Sequence, residues 1–189
     1  MCPICEKPAM GGKTHPYCKN KYTLDGLISF FHYKGIIKTA IKNVKYQFVS
    51  DIAKTLMEQV FLSHRLLEKY PFLKGTTLVP IPLYPTKYRF RGFNQAELFA
   101  TKLSQIYALP YRNDIIQRIK STLPQVEMKH KRDRVENMRG VFAIKTKKTL
   151  PASIILVDDV FTTGATMREA GRVLKQQGVL NVWGITIAR

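Results

Sequence analysis

Two adjacent aspartates, Asp158 and Asp159, are the residues of this chain whose types and setting most directly suggest chemistry. They follow an apolar run over residues 154–157 and precede a Thr-Thr-Gly-Ala-Thr string at residues 162–166. Neighbouring carboxylates can accept hydrogen bonds from the hydroxyls of a ribose, and they can hold a hydrated Mg²⁺. Hydroxyls and backbone N–H groups at the start of a helix bind phosphate, and Gly164 lets the backbone approach closely. The string therefore predicts a site for a sugar phosphate.

This prediction assigns one continuous segment to the ligand. A simpler interpretation takes the acids as solvated loop residues and the threonines as an ordinary helix cap. The complete string, from apolar run to Thr-Thr-Gly-x-Thr, is too specific for that interpretation to be preferred. The two aspartates are the candidate catalytic residues, and the predicted ligand-binding residues after them are Val160, Phe161, Thr162, Thr163, Gly164, Ala165 and Thr166.

The three cysteines are clustered near the N-terminus, and a histidine lies among them. Cys2-x2-Cys5 and His15-x2-Cys18 are two close ligand pairs separated by a glycine-containing loop, which is typical of a structural zinc site. An odd, clustered set of cysteines also argues against a disulfide framework. Free thiols are one alternative, and an N-terminal nucleophile at Cys2, exposed by removal of Met1, is another. Zinc accounts for all three cysteines at once, so we favour it.

A run of alternating cations and aromatics lies within residues 85–93, a segment predicted to be a basic loop. Because arginine suits bidentate phosphate contacts, Arg89 and Arg91 are predicted to bind the ligand's remaining phosphates if the preceding strand neighbours the Asp158 strand. Aromatic side chains between cations also suit base stacking on single-stranded nucleic acid. A solvated charge run is the plainer alternative. The candidate nucleic-acid residues are Lys87, Tyr88, Arg89, Phe90 and Arg91.

The charge balance is strongly positive, with 31 lysines and arginines against 13 acidic residues and a formal net charge of +18 over 189 residues. Such an excess favours a polyanionic partner, and nucleic acid more than a phosphorylated metabolite, although a self-repelling surface is the alternative. No apolar run is long enough to span a bilayer, and no secretion signal follows Met1. We therefore expect a cytoplasmic protein without membrane insertion.

Strand and helix patterns alternate around these motifs and predict an α/β fold with a parallel sheet flanked by helices. Strands are predicted near residues 27–33, 76–82, 140–144, 154–157 and 181–188, and helices near 35–46, 51–70, 94–107 and 166–177. The segment over residues 111–140 is polar and basic and is predicted to contain flexible loop. The Cys/His segment has no hydrophobic period, so we expect a zinc knuckle over residues 1–20 and one main domain over residues 21–189.

The aspartate string resembles the phosphoribosyl pyrophosphate (PRPP) loop of type I phosphoribosyltransferases. Further strings, together with the Cys/His segment, resemble the ComF family of competence-associated proteins, and this resemblance covers essentially the whole chain. Its most specific part is Arg91-Gly92-Phe93-Asn94-Gln95-Ala96. The other matching residues are Val79-Pro80-Ile81-Pro82, Arg89, Glu97, Leu98, Thr122, Gln125, Arg132, Arg134, Asn137, Met138 and Gly140. Many members carry residues ahead of the knuckle, so a longer N-terminus is compatible with the resemblance.

The resemblance implies a type I phosphoribosyltransferase-like fold, a structural Zn²⁺, and PRPP bound with Mg²⁺. Asp158 and Asp159 would contact the ribose, and residues 162–166 would bind the 5′-phosphate. The family also implies a role on single-stranded DNA during natural transformation, alongside partners in the DNA-uptake machinery. We expect a phosphoribosyltransferase whose acceptor is unassigned, because no segment is typical of a base-specific hood. A DNA-handling module without turnover and a metabolic phosphoribosyltransferase without a DNA role are the alternatives.

Overall fold

A computed structural model describes residues 1–46, 66–122 and 136–189 of the chain. Its main sheet has four parallel strands in the spatial order β1-β6-β5-β2, and a second, antiparallel sheet pairs β3 with β4. The prediction of an α/β fold with a parallel sheet and flanking helices is confirmed. The strands are β1 Gly26–Phe31, β2 Thr77–Pro80, β3 Ile116–Arg118, β4 Phe142–Ile144, β5 Ser153–Val160 and β6 Asn181–Ala188. The helices are α1 Gly35–Tyr46, α2 Leu66–Lys69, α3 Pro85–Arg91, α4 Gln95–Tyr107 and α5 Ala165–Gln176.

The apolar run before the aspartates forms β5, which lies between β6 and β2. Ile154 and Leu156 pack into one hydrophobic cluster, whereas Ile155 and Val157 pack into another. Successive strand residues point to opposite faces, so the two clusters cover the two sides of the sheet. A parallel strand buried on both faces is continuously apolar rather than alternating, which explains the pattern seen in the sequence.

Helices α5 and α4 cover the two faces of the sheet. Met167 and Leu174 of α5 belong to the cluster that contains Leu156, and Phe99 of α4 belongs to the cluster that contains Val157. Trp183 is buried in that second cluster. Among the helices within the described stretches, none combines the length and apolar character needed to cross a membrane.

The predicted basic loop over residues 85–93 is wrong, because most of this segment is the helix α3. Pro85 stands at the first helical position, where its fixed φ favours a helix and its missing N–H costs nothing. Gly92 ends the helix with φ of 75°, a left-handed conformation that glycine adopts without strain. Pro85 and Gly92 thus mark the two ends of a short helix.

The polar segment over residues 111–140 contains a strand that the sequence did not predict. Ile116–Arg118 pairs with Phe142–Ile144 as β3 and β4, and Ile115 and Ile116 are buried beside this pairing. The loop predicted within this segment lies partly outside the described residues. The amphipathic helix predicted over residues 51–70 falls mostly outside the described residues, and its described end is α2.

Candidate functional site

The strand β5 delivers the two aspartates to the carboxyl edge of the sheet, where open α/β folds bind ligands. The chain then turns through buried Phe161 and Thr163 into the first turn of α5. Gly164 has φ of 72°, and a Cβ at that position would overlap the Phe161 ring. The turn therefore requires glycine both for its backbone conformation and for close packing, which brings the amides at the start of α5 next to the strand end.

Asp158 and Asp159 lie side by side in sequence but belong to opposite faces of the sheet, because both are still part of β5. Asp158 shares the α5 face with Leu156, and its Oδ1 accepts a 2.9 Å hydrogen bond from the backbone N–H of Asp159. Thr186 of β6 stands opposite Asp158 in the sheet. The two carboxylates are thus both at the strand end, yet they have different surroundings.

Arg118, at the end of β3, is a site residue that sequence reasoning missed. Burial lowers the pKa of its guanidinium, whereas the negative charge of Asp158 raises it. The two groups are therefore within electrostatic reach of each other. Its Nη2 donates to Thr122 and lies 3.9 Å from the Met138 sulfur. Its Nε is buried and has no hydrogen-bond partner among the described residues. In the sequence, Arg118 is marked only by its position two residues after the apolar pair Ile115-Ile116.

The Arg-Gly-Phe-Asn-Gln-Ala string forms the junction between α3 and α4. Asn94 is buried, and its Oδ1 caps α4 by accepting from the Ala96 N–H at 3.1 Å. Its Nδ2 donates to the Ile81 carbonyl at 3.0 Å, which ties α4 to the end of β2. The Nε2 of buried Gln95 has no hydrogen-bond partner within the described part of the chain. Asn94 fixes the start of α4 at this edge of the sheet. It thereby places the buried amide of the next residue, Gln95, at the same edge.

The helix α3 separates the basic residues that the sequence grouped together. Lys87 and Arg91 are one turn apart and half-buried, and each makes a contact of 3.4 Å, to the Thr122 carbonyl and to Gln95 Oε1 respectively. Arg89 is exposed, and Phe90 is 85% exposed. Tyr88 is 45% exposed. Phosphate contacts by Arg89 and Arg91 were predicted on the condition that the preceding strand neighbours the Asp158 strand. That condition is met, because β2 pairs with β5.

The four predicted metal ligands converge at the N-terminus. The ligand atoms of Cys2, Cys5, His15 and Cys18 all lie within 4.8 Å of one another. Tetrahedral zinc with sulfur and nitrogen ligands at about 2.0–2.3 Å places ligand atoms about 3.5–3.8 Å apart. Cys5 Sγ and His15 Nδ1 are 3.3 Å apart, close to that spacing. The cluster therefore fits the zinc knuckle that the sequence predicted.

Hydrogen bonding prepares this cluster for a cation. His15 Nε2 lies 2.8 Å from the Pro8 carbonyl, which can only accept, so the proton is on Nε2 and Nδ1 is left with its lone pair. Burial raises the pKa of Cys2, but hydrogen bonds from backbone groups of the knuckle, with that of Cys5 foremost, outweigh burial and lower it to about 6. Burial and the neighbouring thiols raise the pKa of Cys18 to about 11. A bound cation would let all three thiols ionise together.

The chain is thus an α/β protein with two candidate sites. One is the N-terminal Cys/His cluster, which fits a metal ion, and the other is the acidic end of β5 beside the N-terminus of α5. No protein-family model matches the chain. It is 30% identical to competence protein F of Haemophilus influenzae, over all of this chain and 90% of that protein. It is 28% identical to competence protein ComFC of Streptococcus pneumoniae, over all of this chain and 80% of that protein. It is 27% identical to the DNA utilization protein YhgH of Escherichia coli strain K12, over 97% of this chain and 82% of that protein. The chain belongs to the ComF family.

Proposed function

We propose that this protein binds PRPP at the carboxyl edge of its parallel sheet. The observation that carries the proposal is the β5–α5 turn, where two carboxylates end a strand and a tightly packed Gly164 leads into a helix N-terminus. The amides of residues 162–166 would hold the 5′-phosphate, and Asp158 and Asp159 would accept hydrogen bonds from the ribose hydroxyls. Mg²⁺ would be held through the same carboxylates and the pyrophosphate oxygens, where it would neutralise negative charge.

The pyrophosphate would lie on the side of the site where buried donors lack partners. Arg118 Nε and Gln95 Nε2 are two such donors among the described residues, and an anion would satisfy both. Half-buried Arg91 and Lys87 add positive charge near them. We therefore keep Arg91 as a PRPP residue and add Arg118. Arg89 stays a predicted PRPP residue, but its exposure supports the nucleic-acid role better.

A phosphoribosyl transfer is the reaction that such a site would serve. The bond from C1 of the ribose to pyrophosphate breaks, the pyrophosphate leaves with the bonding electrons, and a nucleophile on the acceptor forms the new bond to C1. Positive charge develops on the sugar and negative charge on the leaving group, so fixed charges contribute more than a protein nucleophile would. Asp158 and Asp159 would stabilise the positive charge on the sugar, and Arg118 and Arg91 would stabilise the negative charge on the leaving pyrophosphate.

We further propose that the protein acts on single-stranded DNA during DNA uptake. The competence and DNA-utilization names of its relatives support this role, as does the net charge of +18. The outer face of α3 supplies a plausible contact surface, because Arg89, Phe90 and Tyr88 are exposed next to one another. Arginine would contact phosphates, and the aromatic rings would stack on bases without sequence preference.

The N-terminal cluster is proposed to hold one structural zinc ion. Three thiols and an imidazole with a free Nδ1 lone pair form a complete tetrahedral set, which leaves no open position for a substrate. The knuckle, which we define as residues 1–20, buries few apolar side chains of its own, as the burial pattern shows. Metal binding would therefore supply much of its folding free energy.

Calorimetric titration with PRPP, with and without Mg²⁺, tests the central proposal. Saturable binding that requires Mg²⁺ is expected, and release of pyrophosphate on adding single-stranded DNA or another acceptor would identify a transferase. Binding without release of pyrophosphate would favour the DNA-handling module. Release with a small acceptor, together with no affinity for DNA at low salt, would favour the metabolic alternative. No binding of PRPP would contradict the proposal.

A further inference from the structure

Arg168 joins the knuckle to the phosphate turn by direct hydrogen bonds. It lies in the first turn of α5, where its backbone N–H donates to the Gly164 carbonyl at 2.8 Å. Its Nε donates to the Pro3 carbonyl at 2.7 Å, and its Nη2 donates to the Ile4 carbonyl at 3.1 Å. Both carbonyls belong to the two residues between the ligands Cys2 and Cys5. One side chain thus spans from the metal loop to the turn that would bind phosphate.

Glu6 completes this link from the knuckle side. It is one of two non-glycine residues in the described chain with positive φ, at 60°, a conformation that normally favours glycine or asparagine. Its Oε1 lies 3.3 Å from Arg168 Nη2. A carboxylate at this position therefore has a cost in backbone conformation that the interaction with Arg168 offsets. Its negative charge also acts against the burial that lowers the pKa of Arg168.

Arg168 also lies over the aromatic ring that packs against Gly164. The Arg168 guanidinium lies 5.9 Å from the centre of the Phe161 ring, and that ring fills the space where a Gly164 Cβ would be. A cavity of about 270 Å³ is lined by residues of both parts, among them Cys2 and Glu6 of the knuckle and Phe161 and Thr162 of the turn. The knuckle thus forms one wall of the space beside the phosphate turn.

We propose that Arg168 is a positioning residue that couples metal occupancy of the knuckle to ligand affinity at residues 162–166. With metal bound, the loop from Cys2 to Cys5 is fixed, so its two carbonyls hold Arg168 and, through it, Phe161 and the first turn of α5. Without metal, those carbonyls lose their fixed positions and the turn loses its support. The coupling to PRPP rests on the proposed function, whereas the coupling to the conformation of the turn does not.

Coupling of this kind is reciprocal, because two sites that affect each other's affinity must do so by the same factor. PRPP should therefore strengthen zinc binding, measured by equilibrium competition with a chelator, by the same factor as zinc strengthens PRPP binding. Typical couplings between sites correspond to about fivefold or more in affinity. A knuckle that merely stabilised the whole fold would lower the unfolding temperature on zinc removal without this matched pair of effects.

Arg168→Gln, with Arg172→Gln as its control, tests the proposal in the full chain. Arg172 lies one turn further along α5 and binds Glu169 and Gln176 rather than the knuckle. Two quantities would be measured for each variant with zinc present and after chelation: the dissociation constant for PRPP, and the hydrogen exchange rate of the amides at residues 162–168. Zinc content and circular dichroism would establish that each variant is metallated and folded.

We expect chelation to speed amide exchange at residues 162–168 in the parent and in Arg172→Gln, and to weaken their PRPP binding about fivefold or more. In Arg168→Gln, exchange should already be fast with zinc bound, and chelation should change neither quantity much. Arg168→Lys should recover part of the effect, because one ammonium can reach one carbonyl. Equal responses of Arg168→Gln and Arg172→Gln to chelation would overturn the proposal. If PRPP fails to bind the parent, the proposed function fails, and the exchange rates alone decide the coupling.

Discussion

Asp158 and Asp159 have different surroundings although their sequence gives no hint of it. Asp158 belongs to the α5 face of β5 and lies within electrostatic reach of Arg118, whereas Asp159 belongs to the α4 face. A ribose at the strand end would therefore meet two acids in different settings, one of them partly balanced by the positive charge of Arg118.

Replacing both aspartates by alanine should weaken PRPP binding by a few kcal/mol. Charge-assisted hydrogen bonds contribute about 1.5–3 kcal/mol each, and the double variant removes the acceptors for the ribose hydroxyls. Calorimetry of Asp158→Ala plus Asp159→Ala against the parent measures the loss. Asp114→Ala is the control, since Asp114 pairs with Arg112 at 2.8 Å, away from β5. Equal affinity of the double variant and the parent would show that the aspartates do not hold the ligand.

Purified protein should contain one zinc ion per chain, and Cys18→Ala should lose it. Cys18 is one of four converging ligands, and three ligands hold a structural zinc far more weakly. Elemental analysis and circular dichroism before and after chelation would follow the metal and the fold of the knuckle. Met10→Ala is a suitable control, because Met10 lies in the knuckle but is 89% exposed. Retention of zinc by Cys18→Ala would rule out this ligand set.

At the scale of the element, α3 presents two faces that the sequence could not separate. As a loop, residues 87–91 would alternate cations and aromatics along one surface. As a helix, they place Lys87 and Arg91 inward, towards Thr122 and Gln95, and Arg89 and Phe90 outward. The inner face would serve the small ligand, and the outer face would serve nucleic acid.

Salt titration of single-stranded DNA binding should distinguish the two faces. Each phosphate contact contributes about 0.7 to the slope of log affinity against log salt on single strands, so Arg89→Ala should make the slope shallower by about that amount. Phe90→Ala should lower affinity by about 1–3 kcal/mol with the slope unchanged, because stacking involves no counterions. Arg91→Ala should mainly weaken PRPP binding.

Leu180→Ala is a matched control for Phe90→Ala. Leu180 is also exposed, at 70%, but it precedes β6 and therefore lies at the opposite edge of the sheet. It should leave DNA affinity unchanged. If Arg89→Ala and Phe90→Ala also leave the affinity and the slope unchanged, α3 does not bind DNA. If no DNA binds even at low salt, the positive charge has another role, such as solubility.

Element identity was predictable wherever the hydrophobic period was long and uninterrupted. Helix α1 and strand β6 were predicted with the bounds that the structure shows, and α4 and α5 were within one residue of them. The sequence predicted a loop where α3 lies and did not predict β3, because both elements are short and depend on their ends or their partner. Helix α3 is set by Pro85 and Gly92, and β3 exists because β4 pairs with it across a gap in the sequence.

At the scale of the whole molecule, Asp25 holds three parts of the fold together. Its carboxylate accepts from Lys175 of α5 at 2.7 Å and from the backbone N–H of Val182 in β6 at 2.8 Å. Lys19 of the knuckle lies 2.9 Å away on the other oxygen. Burial raises the pKa of Asp25, but these partners outweigh it and leave the pKa below its usual value.

Asp25→Asn should destabilise the protein by about 3 kcal/mol, because it leaves the buried Lys175 ammonium without its counter-charge. Since the folded pKa of Asp25 is lowered, its contribution is present above the unfolded pKa, near 4, and is lost as pH falls through the folded value. Urea unfolding at neutral pH and below pH 4 measures both effects. The variant should differ from the parent most at neutral pH and least in acid.

Glu68→Gln provides the comparison, since Glu68 is an exposed carboxylate on α2. It should change the free energy of unfolding by less than about 1 kcal/mol at either pH. A parent and an Asp25→Asn variant with the same stability at neutral pH would contradict the role given to Asp25.

The Cys/His cluster was predictable, and the phosphate-binding turn at residues 162–166 stays a prediction, for the same reason: each set of residues is local, with its members within about twenty positions of one another. The sequence did not predict Arg118 or Arg168, whose roles depend on contacts with distant parts of the chain. Arg168 is far from Pro3 in sequence, and a lone arginine on a helix has no local signal. Residues assembled by the sheet are therefore the part of the site that only the structure reveals.

The strand order makes the pairing of β1 a long-range step in folding. Among the described strands, β1 pairs in the main sheet with β6, and the paired residues Ser29 and Thr186 are 157 positions apart. Such long-range pairing slows folding, since the chain must close a large loop before contacts compensate for it. The four knuckle ligands, in contrast, lie close together in the sequence, so the knuckle could form around a cation before β1 joins the sheet.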